Sequence, residues 1–309
     1  MNSFPDNPEA APESPPEPLS NSQPSPVIEW TIDSPVEPHA IIPTDLIPTP
    51  LVPKDPYWLD FFVLVALTVV SIVILGFSLV AAVLIAKKWF YPHLDASDLE
   101  HMPLIPMYGQ AAGYLLVLAF MYFLVTRVQH RPNFLTAIHW NWPSKPGAYL
   151  FAGVVLSIAL QGFAHLLPIP KNLPIDNMFR TPSAAWVLAI FSITFAPLME
   201  ELYFRGFLYP VLERYIGFAG SLAVKRYVAM PIAILLTAAP FALLHGFQLE
   251  FAWGPVLVIF LVGLVLTIVR AYRDSVAATL LMHVAYNGTI TLAMFAATNG
   301  FRHLEKLNQ

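Results

Sequence analysis

Apolar residues run along the chain in long unbroken blocks from residue 57 onward, and polar residues gather between the blocks. Helices are predicted at Trp58–Ala86, Leu104–Thr126, Gly147–Leu167, Ser183–Arg205, Val228–Gly246, Ala252–Val269 and Ser275–Thr298. Each has the roughly 20 residues needed to cross a hydrocarbon core about 30 Å thick. Tyr57, Trp58, Trp89, Tyr91, Trp140 and Trp142 stand near block ends, where interfacial aromatic belts lie. The pattern predicts an all-α, multi-pass transmembrane bundle of about seven helices. An eighth crossing stays open if Leu208–Ala223 adds a short or re-entrant piece.

Residues 1–56 read differently. They hold 15 of the chain's 30 prolines, and Pro15-Pro16-Glu17-Pro18 permits neither helix nor paired strand. A disordered, acidic, proline-rich tail is expected there. It lacks the basic start and apolar run of a signal peptide. Either a solvated spacer or a docking segment fits. The remaining boundaries expected are 57–182 for the N-terminal helices, 183–299 for a core and 300–309 for a C-terminal tail.

Composition narrows the class. The chain is 57% hydrophobic and 12% charged, with a mean hydropathy of +0.61. Soluble domains carry about 25% charged residues, so lipid replaces water around most of this chain. The net charge of -4 conceals nine acids and one base in residues 1–55, which leaves 11 acids and 15 bases beyond them. The bases lack the clustering that nucleic-acid binding requires. With no cysteine, disulfides, thiolate ligands and a cysteine nucleophile are excluded.

If the helices alternate, Arg127, Arg131, Lys145, Arg214, Lys225, Arg226, Arg270 and Arg273 share one side. Lys87, Lys88, Lys171 and Arg180 take the other. The more basic side is expected to be cytoplasmic, with the tail, in a cell membrane.

Ionisable groups inside apolar helices cost at least about 2.5–3.5 kcal/mol at the helix centre, so the few present merit a reason. They fall in three places. In Glu200-Glu201-Leu202-Tyr203-Phe204-Arg205, Glu201 and Arg205 are i,i+4 and can pair, while Glu200 sits about 100° round the helix. One carboxylate then reads as a paired support and the other as a desolvated general base. A structural ion-pair cluster at a helix end is the rival reading. In Pro240-Phe241-Ala242-Leu243-Leu244-His245, Phe241 and His245 share a face near a proline kink. In His283-Val284-Ala285-Tyr286-Asn287, both polar heads share a face and suit either an oxyanion donor pair or an interhelical clasp.

These motifs, in this order, resemble the CPBP family, which unites type II CAAX prenyl proteases with bacteriocin-processing and immunity membrane proteins. The resemblance covers about residues 183–299. It implies an intramembrane cavity and endopeptidase chemistry on a membrane-tethered peptide. Glu200 then corresponds to the catalytic glutamate that activates water, His245 to its assistant, and His283 with Asn287 to the oxyanion pair. Glu201, Arg205 and Phe241 correspond to supporting residues. Members have been called metalloproteases. No His-Glu-x-x-His is present, and a metal-free water is favoured. Zinc on Glu200, His245 and His283 is the alternative. Two further readings stay open: a non-catalytic immunity or scaffold protein, and a transporter that uses the cluster as an ion path. One geometric demand follows. Glu200 and His245 meet only if the fourth helix is shifted to about 187–209, or the fifth begins after Val228.

Overall fold

The computed structural model describes residues 57–170, 173, 178–179, 181–218 and 221–305. The expected tail, residues 1–56, lies outside the described residues. No strand occurs among those described. Seven helices are long and apolar enough to cross a membrane. They are α1 (Trp58–Trp89), α2 (Leu104–Val128), α3 (Pro146–Ala164), α4 (Pro182–Ile216), α5 (Leu222–Gly246), α6 (Trp253–Arg273) and α7 (Val276–Ala297). The protein is a multi-pass helical membrane bundle.

Starts and stops follow local chemistry. Thr181 and Ser275 cap α4 and α7 with side-chain oxygens that accept the Ala184 and Ala278 amides. Pro146 and Pro182 take first-turn positions, where no amide hydrogen is needed. Outward faces are apolar: Ile72, Phe77, Ile158 and Leu292 are more than 60% exposed. Such a surface suits lipid rather than water.

Packing pairs α1 with α2, α3 with α7 and α5 with α6, while α4 touches α1, α2, α5 and α7. The α3–α7 approach depends on Gly153. A Cβ there would lie 2.2 Å from the Met282 carbonyl oxygen. Gly263 of α6 similarly makes room for the Phe241 ring, 2.8 Å from where its Cβ would be. Phe301, just past α7, is 1% exposed and folds back on Trp186 and Phe295.

α4 departs from the predicted Ser183–Arg205. It extends over 35 residues to Ile216, so residues 208–216 continue a crossing and form no eighth one. Glu200 thereby sits mid-helix. α5 begins earlier than predicted, at Leu222. The lengthened α4 is what lets Glu200 and His245 meet. α4 is also irregular. Its regular path breaks at Thr194, one turn before Pro197, whose missing amide hydrogen cannot close the next α-turn. From Leu202 to Leu208 it is π-helical, with i to i−5 bonding. Such widened turns recur at functional sites.

Candidate active site

Glu200 and Glu201 are adjacent on α4, but their surroundings differ. Glu201 is fully buried. Its Oε1 accepts Arg205 Nη1 at 2.9 Å and His283 Nδ1 at 2.8 Å. Arg205 is buried too, and its Nη2 donates to the Gly263 carbonyl at 2.9 Å. The guanidinium lies 4.6 Å from the Phe241 ring centre, a cation–π contact in a dry setting. Phe241 makes edge contacts with Phe204 and His283. The buried charges pair with each other, as desolvation demands, while Glu201 Oε2 and Arg205 Nε make no hydrogen bond.

Glu200 instead faces a cavity of about 310 Å³ lined also by Thr68, Gln110, Tyr114, Tyr203 and His245. Its Oε1 lies 3.8 Å from His245 Nε2, and its Oε2 lies 3.6 Å from His283 Nε2. Both separations exceed a hydrogen bond. The ring orientations follow from the partners. His245 Nδ1 meets the Phe241 carbonyl at 2.8 Å. His283 Nδ1 meets a carboxylate oxygen. Both oxygens only accept, so Nδ1–H is assigned as the donor in each ring and both Nε2 atoms face Glu200.

Asn287 is one turn beyond His283 on α7. Its amide nitrogen donates to the Ser192 carbonyl at 2.7 Å, beside the break in α4. One of its two N–H bonds is therefore committed to helix–helix bonding. α5 and α7 bring His245 and His283 to the Glu200 carboxylate, one to each oxygen, while Asn287 meets α4 at Ser192.

Glu200, His245 and His283 are the donors zinc would need. The two imidazoles approach different oxygens of Glu200, and among the described residues no three His, Asp or Glu side chains are grouped so as to hold a metal ion.

Sequence reasoning missed several contributors. Gln110 and Tyr114, joined by a hydrogen bond of 3.0 Å, and Thr68, whose hydroxyl lies 2.6 Å from that of Tyr203, line the cavity from α1, α2 and α4. Nothing in their spacing marks them. Arg270 was counted only as a basic residue at a helix end, yet it is 2% exposed and bonds the Arg205 carbonyl.

Residues 182–289 match the family model of the type II CAAX prenyl endopeptidase Rce1-like proteins. That span holds all three motifs and leaves out α1, α2 and α3. No curated protein and no solved structure matches the chain.

Proposed function

Proceeding from residues 182–289 as a CAAX-protease segment of the Rce1-like type, we propose that this membrane protein is an intramembrane endopeptidase that hydrolyses a peptide bond of a membrane-tethered, CAAX-like substrate. The observation that carries the reading is the Glu200 carboxylate at a cavity wall between two imidazole Nε2 atoms, 3.8 and 3.6 Å away. A water in the cavity beside that carboxylate is within reach of a base and a second proton carrier. Glu200 takes a proton from the water while His245, held by the Phe241 carbonyl, orients it or shares the proton. The oxygen attacks the peptide carbonyl. His283, when protonated at Nε2, and the second N–H of Asn287 stabilise the oxyanion. Glu201 and Arg205 hold the His283 ring in place. The proton then passes to the leaving amine.

The mechanism needs no metal. The basic residues support a cytoplasmic placement of the turns that follow α2, α4 and α6 in a cell membrane, so the substrate's tether lies in the bilayer and its peptide comes from the cytoplasmic side or laterally.

The test is turnover by purified protein of a prenylated CAAX peptide and of a panel of membrane peptides. Glu200→Gln should lower kcat by about 10²–10⁴-fold, the usual share of a general base, with the fold unchanged. Full activity in that variant would sink the proposal. Chelators should leave turnover intact, and a loss restored by zinc would instead assign Glu200, His245 and His283 as ligands.

A further inference from the structure

We propose that Arg270 is a positioning residue for the Glu200 centre: it supplies the hydrogen bond that Pro210 withholds from α4. The inference starts at the π-helical turn. There the Tyr209 amide donates to the Phe204 carbonyl. The next carbonyl, that of Arg205, would be served by residue 210, but Pro210 has no amide hydrogen. In a buried site an unserved carbonyl is costly, and water is not at hand to meet it. Arg270, from α6, donates its Nε to that oxygen at 2.9 Å.

The bond is half of a reciprocal clasp. Arg205 of α4 donates to Gly263 of α6, and Arg270, two turns further along α6, donates back to Arg205. Both the side chain and the backbone of Arg205 are thus held by one neighbouring helix. From Arg205 the chain of contacts runs to Glu201 at 2.9 Å and to His283 at 2.8 Å. It ends at Glu200, 3.6 Å from His283. Arg270 is itself aimed by Asp274, 2.6 Å from Nη1, and lies over the Tyr209 ring at 5.7 Å. A base retained only to set membrane orientation would turn its head to water. This one is 2% exposed and points inward.

Its effect on catalysis rests on the peptidase reading above, whereas the clasp itself does not. The experiment is a rescue. Arg270→Met should lower kcat by about 10- to 100-fold, as displaced catalytic geometry does, with KM within about twofold. Pro210→Ala supplies the missing amide hydrogen and alone should stay near wild type. In the double variant this amide serves the Arg205 carbonyl, so most of the kcat should return. A double variant as impaired as Arg270→Met, or an Arg270→Met protein with unchanged kcat, overturns the inference.

Thermal midpoints in detergent, read in a Glu200→Gln background, should follow the same order without any turnover. That order kept while the protein with Glu200 intact cleaves none of the peptides would leave the clasp standing and remove the peptidase reading alone. If Arg270→Met does not accumulate, the yield of folded double variant reads the same rescue, and no recovery of yield counts against the clasp.

Discussion

Two adjacent glutamates on one helix occupy opposite electrostatic situations. Glu201 has no solvent exposure, and Arg205 and His283 both bond one of its oxygens. Removing its charge strands a buried guanidinium, a change that costs about 3–5 kcal/mol. Glu201→Gln should therefore unfold well before wild type in detergent. Glu200→Gln should change stability by less than about 1 kcal/mol, because its imidazole neighbours stand beyond hydrogen-bond length. Equal destabilisation by the two substitutions would contradict this division of labour. The i,i+4 spacing of Glu201 and Arg205 made their pairing readable from sequence. That His283 would close on the same oxygen depends on how α7 crosses α4, which no local pattern encodes.

At the level of elements, the irregularities of α4 do the positioning. Pro197 follows the break that Asn287 bridges, and Pro210 follows the π-turn that Arg270 completes. A regular helix has no spare carbonyl to offer, so these departures provide the polar anchor points between helices. The α3–α7 crossing sets where His283 stands. Gly153→Ala would place a methyl group 2.2 Å from the Met282 backbone oxygen, which cannot rotate away. The two helices must part, at a cost of about 1–3 kcal/mol by analogy with overpacked cores. The expected outcome is a lower thermal midpoint together with reduced kcat, and retention of both would show that α7 is placed by other contacts. Helix existence was legible throughout, because the apolar blocks are long. The end of α4 was not: Tyr209–Ile216 is amphipathic, and its buried face becomes apparent only against α1 and α5.

Across the whole molecule, Asp274 ties separate segments together. It bonds His139 at 2.9 Å and Arg270 at 2.6 Å, while its backbone oxygen accepts the Asn141 amide. Partial burial pushes its carboxyl up, but the His139 bond and the Arg270 charge outweigh this and hold it below the usual range. An unfolded Asp titrates near about 3.9. A folded value below that makes the stabilisation complete at higher pH and lost as pH falls through the folded value. Asp274→Asn tolerates the left-handed backbone here (φ 47°) and removes the charge together with one of the two acceptor oxygens. The melting difference between wild type and this variant should be present at pH 7, shrink below about pH 4 and vanish in stronger acid. A difference that grows in acid would reverse the assignment.

The amino-acid sequence by itself determined the membrane class, the seven crossings and which ionisable residues lie within them. Burying an uncharged run in lipid is favourable whatever its neighbours, and an ionisable group in such a run is conspicuous because it is costly. Only the tertiary structure decided that His283 closes on Glu201 and that two imidazoles flank Glu200, since that depends on the angles at which α5, α6 and α7 meet α4. It also decided that Arg270 turns inward, because the carbonyl that attracts it belongs to a different helix.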